Sequence, residues 1–221
     1  MAFSDKYRLT SISEQNLMSQ NLVQLIYTTG KFENLSTSLL DTESILNNES
    51  LQNAKPEDVV TIIHLKRAFQ YVLNLKTNFN YTDILTINQI VKGGQPGTGM
   101  LRSQDVKVAL TNDIWLPPLP EPQRTQQELV NILTSSATAT ERALNLNLYL
   151  SRWQLFMDGN KRTAIVAANA LMVQAGAGLL AIPENKMHWY RSQLQKHCRS
   201  GHDTSLKQWL YDNCVFGIAE N

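Results

Sequence analysis

The chain has 221 residues, 43% of them hydrophobic, and a formal net charge of +1. Such a length and apolar content suit one substantial core and exclude disorder over most of the chain. A charge this close to zero excludes a general electrostatic attraction to nucleic acid or to a membrane surface.

No stretch approaches the ~20 apolar residues that span a bilayer, and the opening Met1 to Arg8 has no apolar run behind it. The expectation is a cytoplasmic protein with neither a membrane nor a nucleic acid as partner. Cys198 and Cys214 lack paired metal-ligand spacing and are read as reduced thiols.

Leu17, Val23, Leu25 and Ile26 form an imperfect helical stripe that breaks at Gly30. It resumes after Ser36-Thr37-Ser38 with Leu39, Leu40, Ile45 and Leu46, so the first segment predicts two helices with a polar joint. Pro56, Glu57 and Asp58 make a good helix start, because proline suits the first turn and acids suit the positive end. Apolar residues then run from Val59 to Leu75, and a further helix is expected from Tyr81 to Val91.

Lys92 to Gly99 is the most flexible composition in the chain, and Val106, Val108 and Leu110 alternate as in a short strand. We read a mobile loop and a small hairpin, ended by extended chain through Pro117, Pro118, Pro120 and Pro122. Helical pattern dominates thereafter: Leu129, Ile132 and Leu133 in one helix, Leu144 and Leu148 in another, then a helix stopped at Gly176-Ala177-Gly178. The last two helices are expected near Trp189 to Gln195 and Ser205 to Cys214.

Chemistry concentrates at Leu155-Phe156-Met157-Asp158-Gly159-Asn160-Lys161-Arg162-Thr163, where a polar turn joins an apolar helix. The first amides of a helix lack intrahelical partners and sit at the positive end of its dipole. Gly159, Asn160, Lys161 and Arg162 therefore suit phosphate. Gly93 to Gly99 lacks the Gly-Lys-Ser/Thr ending of a phosphate-binding P-loop. His64, His188, His197 and His202 are scattered, which leaves little support for a histidine metal site or a Ser-His triad.

Gln154 to Arg162, with Thr163-Ala164 following, resembles the signature of Fic (filamentation) domains and their Doc-type relatives, His-Pro-Phe-x-Asp/Glu-Gly-Asn-Gly/Lys-Arg. The likeness covers about residues 60 to 215 and implies an all-α fold: a Fic-type helical core, a small β-hairpin flap and an N-terminal helical extension. The expected division is 1–55 for that extension and 56–221 for the Fic-like domain.

The resemblance also implies ATP and Mg²⁺ as ligands and AMP transfer to a Ser, Thr or Tyr hydroxyl of a protein. By that resemblance Gln154, Asp158, Asn160 and Arg162 occupy the catalytic positions. Gly159, Asn160, Lys161, Arg162 and Thr163 would hold the nucleotide, Asp158 would hold the metal, and Gly99, Arg102 and Val106 would lie on the flap that takes the target chain. A carboxylate with phosphate oxygens and water is what Mg²⁺ prefers, and a helix cap is the alternative role of Asp158.

Two departures bear on activity. Gln154 stands where the family has its general-base histidine, and an amide takes no proton at neutral pH. Ile165 stands where many members have a second arginine. Thr29-Gly30-Lys31-Phe32-Glu33-Asn34 resembles the inhibitory Ser/Thr-x-x-x-Glu-Gly/Asn helix of self-inhibited members, so Thr29, Glu33 and Asn34 form an expected brake, with Arg162 or Lys161 as partner of Glu33.

Three functions stay open at this point: an active transferase, a nucleotide-binding pseudoenzyme, and an interaction module derived from a toxin–antitoxin system. Trp189, Tyr190 and Trp209 suit either a homodimer contact or the core.

Overall fold

The computed structural model describes residues 3–49, 54–110 and 113–218. Ten α-helices dominate the described residues, with two pairs of two-residue antiparallel strands. The all-α expectation with a small hairpin holds.

The first apolar segment is two helices rather than one, α1 (Ser11–Gln20) and α2 (Leu22–Gly30). Asn21 divides them: its side-chain amide donates to Leu17 O at 2.8 Å and its backbone N–H to the same oxygen at 3.1 Å, closing the first helix. After α2 the chain tightens into a 3-10 turn over Lys31–Glu33, which ends at Asn34 with a left-handed φ of 56°. A Cβ at Gly30 would press on the Leu35 side chain, which would have to shift.

α3 (Leu39–Leu46) begins at a Ser38–Asp41 capping box, and α4 (Pro56–Asn74) begins at the expected proline. α5 (Tyr81–Val91) matches its expected span and starts at a second box, Asn80 with Asp83.

The predicted hairpin is β1 (Val108–Ala109) paired with β2 (Ile114–Trp115), Val108 opposite Trp115. Trp115 Nε1–H donates to Arg152 O at 3.3 Å, and the Arg152 guanidinium lies 5.4 Å from the Trp115 ring and 4.8 Å from that of Trp153. The hairpin is thereby anchored to the body.

The extended proline segment is shorter than expected. Pro122 opens α6 (Pro122–Thr134), where Glu121 accepts from Gln123 N–H at 3.2 Å and Arg124 N–H at 2.6 Å. A proline in the first turn forfeits no helical hydrogen bond, so the residue read as a breaker is a starter.

α7 (Ala139–Trp153) and α8 (Asn160–Ala175) form the centre. Every residue from Arg162 to Met172 is buried. Helices α1, α2, α4, α5 and α7 surround α8, as an all-round apolar helix requires. Five alanines between Ala164 and Ala175 let those neighbours approach closely.

α8 stops at Gly176 (φ 66°), after which β3 (Leu179–Leu180) pairs with β4 (Val215–Phe216). Between those strands lie α9 (Met187–Ser200) and α10 (Thr204–Cys214). Tyr190 is fully buried and Trp209 partly so, whereas Trp189 is 40% exposed. Both cysteines are free and buried, and burial pushes the Cys198 thiol up to about 11.

Candidate functional site

The loop between α7 and α8 is held by its own side chains. Phe156 is buried as its anchor. Asn160 clasps that anchor from the first position of α8: Oδ1 accepts from Phe156 N–H at 2.9 Å and Nδ2 donates to Phe156 O at 2.8 Å. The Asn160 side chain thus shapes the loop, and its backbone N–H is what it can offer a ligand.

Gly159 adopts φ 78°, and a Cβ there would press on Asn88, Lys92 and Val91 at 3.3 Å. Thr163 N–H donates to Gly159 O at 2.9 Å as the first intrahelical bond, so the N–H groups of Asn160, Lys161 and Arg162 precede the ladder. Gly159 N–H itself donates to Asp158 Oδ1 at 2.5 Å.

Arg162 is buried at 4% exposure and faces two carboxylates. Its Nε lies 2.9 Å from Glu33 Oε1 and its Nη2 lies 3.6 Å from Asp158 Oδ1. The Nε–H does not align on the Glu33 oxygen, so that contact is an ion pair that leaves the buried donor without a hydrogen-bond acceptor. The expected Glu33–Arg162 pairing is present, and Asn34 closes the turn that presents Glu33.

Thr29, the first residue of the expected brake, makes no hydrogen bond to this cluster. It is 1% exposed in α2, with no hydrogen-bond partner for its hydroxyl.

Lys92 forms a close ion pair with Asp158. Burial raises the Asp158 carboxyl, but hydrogen bonds from Lys92 and Gly159 N–H and the charges of Lys92 and Arg162 outweigh it and hold the group below its ordinary value. The His64 ring lies against Gly93. Burial, and then the charges of Arg67, Arg162 and Lys92, push the His64 imidazole down, so it is neutral beside this cationic cluster.

Arg102 and Gln154 meet. Gln154 caps α7 in the left-handed region (φ 48°), its side-chain amide donates to Ser151 O at 2.6 Å, and its backbone carbonyl accepts from Arg102 Nε–H at 2.7 Å. Arg102 also donates to Gln104 O at 2.9 Å, Pro117 O at 2.8 Å and Pro118 O at 2.7 Å, and is 3% exposed. This corrects the expectation that Arg102 faces a target chain. It is a buried cross-link between the motif loop and both ends of the flap.

Gly99 is likewise seated on α5, its N–H donating to Asn88 Oδ1 at 3.0 Å, while Val106 is half-buried ahead of β1. Thr163, expected on the nucleotide, is fully buried and accepts from Asn88 Nδ2 at 3.2 Å.

Asn88 is the residue that sequence reasoning missed. Besides Gly99 and Thr163 it binds Asp158 O at 3.0 Å, joining three segments of the site from α5. A polar residue in register with the buried Ile84, Ile87 and Val91 was the available signal.

A second missed element is a cavity of about 220 Å³ beside the start of α8. Phe32 and Asn34 of the Glu33 turn, Val108 of the flap, Lys161, Arg191 and Cys198 are among its walls. No group of three or more acids, histidines or cysteines positioned for a metal occurs among the described residues.

The Fic/DOC family model matches residues 78–172. No curated protein sequence matches the chain. Solved structures share its fold. A structure of Fic-1 from C. elegans is 21% identical with a TM-score of 0.75 over 92% of this chain and 63% of that one. A second Fic-1 structure matches over 94% and 64%, so the chain spans just under two thirds of these relatives.

A Fic family protein from Desulfovibrio desulfuricans is 13% identical, with a TM-score of 0.75 over 95% of this chain and 74% of that one. A Fic domain containing signalling protein from Bacteroides thetaiotaomicron is 17% identical, with a TM-score of 0.72 over 90% and 80%. Residues 78–172 are thus recognised as a Fic/DOC domain, and the chain shares the fold of these Fic-domain structures.

Proposed function

We propose that the chain binds ATP with Mg²⁺ at the start of α8, and that its site is an adenylyltransferase site held shut by Glu33. The observation that carries the reading is the Glu33 carboxylate 2.9 Å from the buried Arg162 Nε, ahead of three helix-terminal N–H groups. A carboxylate occupies the place suited to a phosphate oxygen, and the unaligned Nε–H supports a site shaped for a different anion.

Arg162, the N–H groups of Asn160 to Arg162 and the Lys161 side chain would hold the phosphates. The cavity of about 220 Å³ would take the nucleoside. Asp158 supplies one carboxylate, which suits Mg²⁺ that arrives with phosphate oxygens and water rather than a cation held by protein alone. Bound there, the ion would offset phosphate charge, and Lys92 would turn from Asp158 toward the phosphates. Glu33 would have to leave Arg162 first, because both compete for one guanidinium.

Gln154 limits the chemistry. Its amide caps α7 and takes no proton from a target hydroxyl. General-base catalysis contributes roughly 10²–10⁴-fold, so the native chain transfers AMP slowly at best. The same observation favours a second reading, nucleotide binding without transfer.

Transfer from α-labelled ATP by Glu33→Gly, with and without Gln154→His, tests the proposal. Label on protein only when His is present supports an intact site that lacks its base. Absence of label in both, together with no thermal stabilisation of either variant by Mg·ATP, overturns nucleotide binding and leaves an interaction module.

A further inference from the structure

Glu33 is only as firm a brake as the turn that carries it, and that turn is fastened from α9. The Arg191 guanidinium donates through Nη1 to Asn34 Oδ1 at 2.7 Å and through Nη2 to Lys31 O. It therefore grips both ends of the residue pair that flanks Phe32 and Glu33. Lys31 adds hydrogen bonds to Leu35 O (3.3 Å) and Thr37 O (3.0 Å) and an ion pair with Glu184 (3.5 Å). Phe32 meets Tyr190 edge-on with ring centroids 6.0 Å apart.

Arg191 reaches the turn from α9 through two hydrogen bonds, and just beyond it Asp58 of α4 accepts from Ser36 N–H at 3.0 Å and Ser36 Oγ–H at 2.8 Å. The same side chain lines the cavity of about 220 Å³, where Asn34 is its neighbour in the wall.

We infer that Arg191 is a latch: it holds the Glu33 turn against Arg162, and a ligand filling the cavity competes for the Arg191 guanidinium and so loosens the turn. The coupling to nucleotide rests on the reading given under Proposed function; the latch itself does not. Arg191 is a positioning residue for the brake. A planar fork can hold a carbonyl and an amide oxygen at once, which a lysine ammonium on a flexible stem does poorly. Loop opening is then set by a small number of contacts at a half-exposed site, the kind of segment that opens without global unfolding.

Hydrogen exchange of the full chain without nucleotide tests the latch. In Arg191→Ala, amides of residues 31–35 should exchange at least about tenfold faster, because the charge-assisted hydrogen bonds to Asn34 Oδ1 and Lys31 O are lost together, with α7 and α8 unchanged. Arg191→Lys should fall between Arg191→Ala and wild type. Asn34→Gly, which keeps the left-handed backbone but removes one of the two acceptors, should reproduce part of the acceleration. Wild-type exchange at 31–35 in Arg191→Ala overturns the latch, as does acceleration spread equally through α7 and α8.

Titration of Mg·ATP tests the coupling. Arg191→Ala should tighten binding when Glu33 is present and give no further gain in Glu33→Gly, since the latch acts through Glu33. Looser binding in both backgrounds would make Arg191 a plain ligand contact and overturn the coupling. No binding of Mg·ATP by Glu33→Gly would remove the nucleotide reading, and the exchange result would still decide the latch.

Discussion

The two halves of the site are built differently. The cationic half, from Gln154 to Thr163, buries Leu155, Phe156, Asn160, Arg162 and Thr163 and is cross-linked by Asn160 on Phe156, Asn88 on three segments and Arg102 on four carbonyls. The acidic half is one carboxylate, 37% exposed, on a single turn fastened by long side chains. A buried network fixes geometry because each unmet polar group costs free energy. A half-exposed pair in water is worth little and can be exchanged. The rigid half is thereby suited to hold a ligand and the loose half to yield to one.

That contrast is broken most severely at Arg102. Arg102→Met should lower stability by roughly 3–5 kcal/mol, since two or three buried carbonyls lose their donor at about 1–3 kcal/mol each. Chemical denaturation measures this, and a change below about 1 kcal/mol would mean the cross-link is dispensable. Asn160→Ala should cost about 2–3 kcal/mol by the same reasoning, because both of its bonds to Phe156 are buried. Glu33→Gln should change stability by less than about 1 kcal/mol, as its carboxylate is more than a third exposed and Asp158 still faces Arg162. A loss as large as that of Asn160→Ala would erase the distinction between the halves.

The smallest expected effect is a titration. The folded Asp158 carboxyl lies below its unfolded value, so its contribution to stability is complete above that unfolded value, about 4, and is lost as pH falls through the lower folded value. Lys92→Met removes the strongest lowering partner and should move the Asp158 midpoint upward. Carboxyl-carbon NMR reads it; an unmoved midpoint would assign the depression to Gly159 N–H and Arg162 alone.

Much of this architecture was legible in the chain. Pro56, the span of α5 and the Gly176 stop follow from local rules of helix starts and ends. The Glu33–Arg162 pair was legible only because two distant motifs, one at each end, pointed to each other.

What was missed depends on tertiary placement or on one residue with two local meanings. Asn21 splits a helix by bonding its own Leu17 carbonyl. Pro122 starts a helix where it was read as extending the chain, and β3 and β4 are too short to show alternation. Arg102 reads as a surface flap residue until the fold brings Gln154, Pro117 and Pro118 around it. Arg191 carries no motif, and its role exists only because α9 passes beside the turn after α2.

The central claim is that Arg162 anchors an anion site which Glu33 occupies in place of phosphate. Calorimetric titration of Mg·ATP into wild type, Glu33→Gly and Glu33→Gly/Arg162→Ala tests it most directly. The account predicts at least about tenfold tighter binding in Glu33→Gly than in wild type, equivalent to about 1.4 kcal/mol, and loss of that gain in the double variant. Equal affinity of wild type and Glu33→Gly, or binding that survives removal of Arg162, would contradict it.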